Sequence, residues 1–465
     1  MMMNRKLVVT LLGLLTLLQQ LPKNAGRTQE EASESPDDFS LREKRFPSVE
    51  DRVKLYMSNW YVPPCSDNDD GKIRYEFDGS KDSKWPFVKV HGYPSSHPII
   101  NETVVVEAES VITPDMVFFM NDDIITNCAN EDFNESTATD TRELQLAARV
   151  KFRGNMRMYC TDIKSSFLTA WNHIQWEDKE REAPPALMQF GDNKDSHVYG
   201  AINVPFVKKF RSSYTQPSEL EKVTSQECYS TPREPMMTMH HTDRFQPIVW
   251  KLASHRHYDK LYQVYQKDTA WDKKKDMAIF RGQLTGSRDG YDKTLSDEEN
   301  CLRLKRCQLV YKHANSSLID ASLTSTRGRL PDVLNGVPLI TRKIDLSDMM
   351  NYKGLIMIEG NDVASGLKWA LLSQSVVLMP PPKHTSWAME ELLEPWVHYI
   401  PLNEFATDVE EKMQWIIDND DDAQRIAERS TLWMEDLVFH PDALEDDRLV
   451  QEEILRRYRA HFQKL

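Results

Sequence analysis

Glycine is scarce in this chain, 16 in 465 residues, and prolines number 24 with no periodic arrangement, so collagen-like and Gly/Pro-rich low-complexity classes are excluded. No internal repeat is present, which removes solenoid and propeller architectures. No two of the six cysteines stand in CxxC spacing, so zinc knuckles and thioredoxin-like redox centres are excluded. Positive charge is in deficit. Lys+Arg total 58 against 72 Asp+Glu, a net charge of -14, which argues against a general nucleic-acid or anionic-membrane surface while leaving room for local basic patches. The apolar run Leu7–Leu18 is shorter than the roughly 20 residues of a membrane-spanning helix.

That run follows Arg5 and Lys6 and gives way to polar sequence at Gln19, the pattern of a signal-peptide core. Residues 1–26 read as a signal peptide or a short signal anchor, with Ala25-Gly26 as a cleavage region. A membrane is a partner only if this segment is retained. Residues 27–45 read as a disordered acidic lead. Secretory entry makes the cysteines candidates for disulfides, and Cys301 with Cys307 is the first pair expected. Asn101, Asn134 and Asn315 begin glycosylation sequons.

Tyr352 to Pro401 is the stretch around which the chain is organised. Leu355–Ile358 is a short apolar run ending at Glu359-Gly360. Asp362 to Ser373 then takes helical spacing, and Ser375–Met379 is a second apolar run closed by three prolines. Two buried-strand signals flanking one helix make a βαβ unit with parallel strands. Gly360, Asn361 and Asp362 suit a tight turn and an N-cap, with Ser365 in the first turn and Lys368 one turn on. A helix start of this kind offers N–H groups to an anion; the same residues also describe an ordinary turn. The second such stretch runs from Trp271 to Arg288. There a strand over Met277–Phe280 ends at Arg281-Gly282, followed by Thr285-Gly286. An Arg at a strand end beside glycines can grip a diphosphate bidentately, or serve as a structural ion pair. Leu309–Tyr311 and Val337–Ile340 read as further strands, and Ser212 to Met239 as a linker. A helix after Pro401 is expected with Thr407 as N-cap and Glu410 completing a capping box. Strands alternating with helices in both halves, divided near residue 240, predict two α/β domains, residues 46–245 and 246–440, with a C-terminal helix over 441–465.

Phe280-Arg281-Gly282, the preceding Trp271 and lysines, the Tyr352–Pro401 block with its Leu-Glu-Pro-Trp-Val-His-Tyr-Ile-Pro, and Gln414-Trp415 resemble glycosyltransferase family 90, the Rumi-like protein O-glucosyltransferases and their capsule-associated relatives. The wording of the 360–369 loop is closer to the microbial and algal branch. The resemblance implies GT-B architecture, two Rossmann-like domains facing across a cleft, with the donor nucleotide in the C-terminal one. It implies a UDP-glucose or UDP-xylose donor, inversion at the anomeric carbon, and neither cofactor nor metal. Carried over, Arg281 would hold the donor diphosphate, Gly282, Thr285 and Gly286 would line the approach, and Asp320 would sit near the donor. Gly360, Asn361, Asp362, Ser365 and Lys368 would form the second phosphate loop. Animal members carry an Arg directly after the loop Ser, where this chain has Gly366, and Lys368 would supply that charge. By their place after the proline run, and apart from the resemblance, Trp387 and Glu390 could stack on and hydrogen-bond a sugar, with core packing of Trp387 the alternative. The strand ending at Asp122-Asp123 is similar to the segment that carries the family's catalytic base, so the base is one of these two; the family's following Pro is replaced by Ile124-Ile125.

The sequence therefore predicts an inverting glycosyltransferase acting on a hydroxyl of a protein or glycan in the endoplasmic reticulum or Golgi. Asn121-Asp122-Asp123 also resembles the metal-binding motif of a GT-A transferase, and a non-catalytic lumenal lectin or chaperone with the same fold is the reading from another class.

Overall fold

The computed structural model describes residues 47–65, 166, 169–176, 205–214, 216–229, 246–251, 255–286 and 290–464, with five further strands between residues 73 and 189. Asp122, Asp123, Asn101 and Asn134 lie outside the described residues, as do the N-terminal segments and the linker beyond residue 229.

Strands of the N-terminal half are β1 (Ile73–Asp78), β2 (Phe87–His91), β3 (Thr103–Val105), β4 (Phe118–Met120), β5 (Ala186–Gln189), β6 (Phe206–Lys208), β7 (Phe210–Ser212) and β8 (Ile248–Val249). One sheet runs β4-β5-β6-β8, parallel except for the antiparallel β4–β5 pair. The C-terminal half adds β9 (Lys275–Gln283), β10 (Ile319–Ser325), the small hairpin β11 (Val333–Leu334) and β12 (Val337–Pro338), β13 (Tyr352–Ile356), β14 (Val376–Met379), β15 (His384–Ser386), β16 (Ile400–Pro401) and β17 (Phe462–Lys464).

Five of these form an all-parallel sheet in the order β10-β9-β13-β14-β16, with Phe280 opposite Ala321 and Leu355 opposite both Ile279 and Val377. The expected βαβ unit is β13, a short helix and β14. Both faces of the sheet are covered, so its strands are nearly continuous apolar runs, and successive side chains enter different cores. Ile279, Leu355 and Val377 face one core; Ala278, Phe280, Ile356, Val376 and Leu378 face the other. The first core is completed by Leu261 and Val264 of α3 (His255–Lys267), by Leu367, Ala370 and Leu371 of α7 (Leu367–Leu372) and by Met434 and Leu437 of α9 (Asp420–Val438). It continues into the N-terminal half through Val53, Tyr56 and Trp60, so the two halves share one core. The second is covered by α4 (Asp297–Arg303), α5 (Lys305–Lys312) and α8 (Val409–Asp418).

Several expectations are corrected. Leu309–Tyr311 lies in helix α5, because a three-residue apolar run does not distinguish a strand from the buried face of a helix. The expected linker begins at the last residue of β7, Ser212, and holds α2 (Pro217–Thr224), and Cys228 is tied to Cys65 by a disulfide. Helix α7 begins at Leu367 rather than Asp362. The Asp362 carboxylate is 2.9 Å from Lys209 Nζ, and the Asp362 carbonyl accepts from Gly360 N at 3.2 Å, which closes a turn instead of opening a helix. Helix α8 is preceded by Asp408; the Thr407 hydroxyl accepts from Asn403 Nδ2 at 2.7 Å and Glu410 from Ser316 Oγ at 2.6 Å, so no Thr407 capping box forms.

The last helix, α10 (Ala443–Ala460), returns to the N-terminal half and packs on α1 (Val49–Met57), with Arg52 Nη2 2.6 Å from Asp447 Oδ1. Strand β17 then pairs with β1, and β7 pairs antiparallel with β15, so the halves are stitched twice. His461, 1% exposed, sits at the end of α10 between the Tyr229 hydroxyl (3.0 Å) and the Trp60 carbonyl (2.8 Å). Burial pushes its pKa down to about 4. The folded state thus refuses a proton that the unfolded chain accepts below its ordinary pKa of about 6.5, and stability is lost as pH falls from there toward 4. The stability difference between wild type and His461→Gln, read from urea unfolding, should shrink by roughly 3 kcal/mol between pH 7 and pH 4. A difference independent of pH would mean that His461 is not held neutral.

Candidate active site

The chain enters the parallel sheet at β9, moves outward to β10, and then crosses to the opposite side of β9 to form β13. Strand order reverses between β9 and β13, and the carboxyl ends of such a pair open a crevice because the following connections leave in opposite directions. The two loops singled out in the sequence emerge there side by side. Gly286 N donates to Asn361 Oδ1 at 2.9 Å. Gly286 has φ +76°, and a Cβ at this position would stand 2.6 Å from the Gly360 carbonyl oxygen. A Cβ on Gly360 would stand 2.3 Å from Thr285 Oγ1. Two glycines are thus required where the loops touch.

The seam is closed by a residue that the sequence did not single out. Arg306, on the first turn of α5, donates from Nη1 to the Gln283 carbonyl (2.8 Å) and to Thr285 Oγ1 (2.7 Å), and from Nη2 to the Ile358 carbonyl (2.6 Å). One guanidinium therefore spans the ends of β9 and β13. Arg306 forms no ion pair with a described carboxylate, and its Nε has no hydrogen-bond partner. Burial lowers its pKa to about 10, against the more distant attraction of Asp362 and Glu359. In Leu-Lys-Arg-Cys it looks like any solvated basic residue; the one available signal was its place inside the small loop closed by Cys301 and Cys307, a disulfide that is formed.

A cleft of about 570 Å³ opens over this seam. Its lining carries Lys209, Lys260, Arg281, Arg306, Arg327, Lys343 and Lys368 against Asp345 and Asp362. Arg281 and Lys368 are paired with Asp320 and Glu390 outside that lining, and Lys209 with Asp362. Arg306, Arg327 and Lys343 against Asp345 still make the cavity a focus for an anion on a chain of net charge -14. Its size suits a small-molecule ligand. Lys209 reaches it from the turn between β6 and β7, so both halves contribute.

The predicted residues are distributed unevenly around this cleft. Gly282, Thr285, Gly360, Asn361, Asp362 and the exposed Ser365 line it directly. Arg281 also lines it, but its Nη2 is 2.6 Å from Asp320 Oδ1 and its Nη1 donates to the Asp320 carbonyl at 2.8 Å. The second Asp320 oxygen accepts from the Tyr352 hydroxyl at 2.8 Å, and burial followed by this carboxylate pushes the Tyr352 pKa up to about 12. Arg281 and Asp320 are thus an ion pair beside the site. Lys368 does not present a solvated charge. Its Nζ is 2.7 Å from Glu390 Oε1, and the two side chains are 2% and 1% exposed. Glu390 also accepts from Ser386 N (2.6 Å) and Ser386 Oγ (2.8 Å). Burial pushes its pKa up, and Lys368 with these donors outweighs that and holds it below the usual carboxylate range. Trp387, 3% exposed, completes the floor, its carbonyl accepting from the Tyr56 hydroxyl at 2.7 Å. Gly366 packs on Trp369, where a Cβ would lie 3.1 Å from the indole nitrogen. Asn315 is exposed in the turn after α5. Among the described residues no group of three His, Cys, Asp or Glu side chains is placed to hold a metal.

Residues 256–440 match the family model described as Glycosyl transferase family 90. The chain is 36% identical over 85 residues to the O-glucosyltransferase LpsA of Dichelobacter nodosus, covering 18% of this chain and 27% of that protein. It is 33% identical over 161 residues to Protein O-glucosyltransferase 2 of Danio rerio, covering 34% and 28%. With the O-glucosyltransferase rumi homolog of Aedes aegypti it is 29% identical over 196 residues, covering 40% and 42%. The chain thus spans less than half the length of these curated relatives.

The seam makes a direct prediction. Gly286→Ala forces a left-handed alanine against the Gly360 carbonyl and should lower the unfolding free energy by roughly 1–3 kcal/mol. Denaturant unfolding reads this; an unchanged midpoint would mean that the two loops are not in contact in solution.

Proposed function

We propose, from the match of residues 256–440 to the family model described as Glycosyl transferase family 90, that this chain is an inverting glycosyltransferase of GT-B architecture. It moves a sugar, glucose or xylose, from a UDP-sugar to a hydroxyl of a protein or glycan in the lumen of the endoplasmic reticulum or Golgi. The observation that carries this reading is the basic cleft at the β9–β13 reversal, where the Arg306 guanidinium lies without a described carboxylate partner. Two disulfides, the exposed sequon at Asn315 and the basic-apolar N-terminus support the compartment.

In the proposed mechanism the donor diphosphate lies against Thr285–Gly286 and Gly360–Asp362. Arg306 neutralises charge as it develops on the departing phosphate oxygen, and Arg281 contributes by sharing its ion pair with Asp320. Fixed donors of this kind act where charge appears in the transition state. Asp122 or Asp123 takes the acceptor proton, the acceptor oxygen bonds to the anomeric carbon, and the bond from that carbon to the diphosphate breaks on the opposite face with UDP leaving. The Lys368–Glu390 pair is internally neutral and shapes the floor beneath the sugar with Trp387.

Two expectations follow. If arginines neutralise the diphosphate, transfer or hydrolysis of UDP-glucose should survive excess EDTA; complete loss with recovery on adding Mn²⁺ would favour a metal-dependent GT-A site built on Asn121-Asp122-Asp123. General-base help is typically worth roughly 10²–10⁴-fold. One of Asp122→Asn and Asp123→Asn should therefore reduce turnover by about that factor while UDP binding stays near wild type. Full turnover in both variants would remove the base from this segment.

A further inference from the structure

Helices α4 and α5 cover Asp297–Lys312 with a single interruption at Leu304, whose φ of -98° and ψ of 105° are those of a strand. Nothing local requires that break. The segment contains neither Gly nor Pro, and leucine is among the better helix formers. Left to propensity, the first helix would propagate through Leu304 into the second. In a continuous α-helix, residues six apart have Cα atoms about 10 Å apart, beyond the ~7 Å that a disulfide tolerates. Cys301 and Cys307 are bonded with Cα atoms 5.0 Å apart. The disulfide and a continuous helix exclude each other, and the break at Leu304 is what the disulfide enforces. Arg306 is the residue immediately before Cys307, so the direction of its side chain toward Gln283, Thr285 and Ile358 is set by this break.

We propose that the Cys301–Cys307 disulfide is a positioning element of the donor site: it holds the α4–α5 kink that aims Arg306 into the seam between the β9 and β13 loops, and the diphosphate site is fully assembled only in the oxidised chain. Both sulfurs belong to fully buried residues, so the bond acts as a fixed brace rather than a surface switch. This inference rests on the donor-site reading above.

The test is a set of UDP titrations on the full chain. Cys301→Ala/Cys307→Ala should weaken UDP binding about tenfold, as should Arg306→Ala, the loss of one charge-assisted contact. The triple variant should lose nothing further, because the two changes remove the same contact. The decisive arm is Lys305→Pro. Proline is accepted at the first position of α5 and forces the preceding residue into the extended conformation that Leu304 already has. In the disulfide-free chain it should restore UDP affinity to within about twofold of wild type, because it rebuilds the kink by another route. Wild-type affinity in the disulfide-free chain, additive losses in the triple variant, or failure of Lys305→Pro to rescue would each overturn the inference. If wild type itself does not bind UDP, the donor-site reading falls. The kink is then decided by amide exchange across residues 303–307, which slows in the disulfide-free chain if the helices fuse and is unchanged if they do not.

Discussion

One guanidinium group ties together the carboxyl ends of two parallel strands whose following connections leave in opposite directions. Arg306 satisfies carbonyl oxygens at the ends of both β9 and β13, together with the hydroxyl between them. Strand ends at an order reversal are where a doubly wound sheet has exposed backbone and room for a ligand. Filling that place with a cation that lacks a described carboxylate partner is costly, since burial disfavours a charge without one. The depressed pKa of Arg306 registers that cost. An anion arriving at the seam would offset it, which is why the positive lining reads as a binding feature rather than as part of the fold.

The rest of the molecule supplies rigidity around this point. Gly286 and Gly360 let the loops approach more closely than any side chain would permit. The Lys368–Glu390 and Arg281–Asp320 pairs place charge next to the cleft but cancel it internally. A core shared by both halves, the β7–β15 ribbon and the return of α10 onto α1 hold the N-terminal half against the C-terminal one. Lys209 and Asp362 join across the same region. The cleft is therefore bounded by elements that are themselves fixed.

Much of the C-terminal half was legible in the sequence because its signals are local. The apolar runs at Met277–Phe280, Leu355–Ile358 and Ser375–Met379 mark β9, β13 and β14, but β9 continues through Arg281-Gly282 to Gln283, and β13 begins at Tyr352 and ends at Ile356, before the Gly360-Asn361 turn. A six-residue cysteine separation was enough to predict its disulfide. What failed depended on partners distant in sequence. Asp362 reads as an N-cap until Lys209, on the other half of the chain, takes its carboxylate. Lys368 reads as a phosphate ligand until Glu390 is seen beside it. Arg306 was invisible because its three acceptors come from residues 283, 285 and 358, and no pattern within Leu-Lys-Arg-Cys distinguishes a staple from a solvated charge.

The central claim is that a nucleoside diphosphate binds at the β9–β13 seam. A crystal structure of the full chain with UDP bound tests it most directly. The account predicts that the diphosphate lies against Thr285–Gly286 and Gly360–Asp362, with Arg306 in direct contact. Density for UDP elsewhere would contradict it, above all in the separate groove lined by Leu220, His398 and Trp433, with the seam empty.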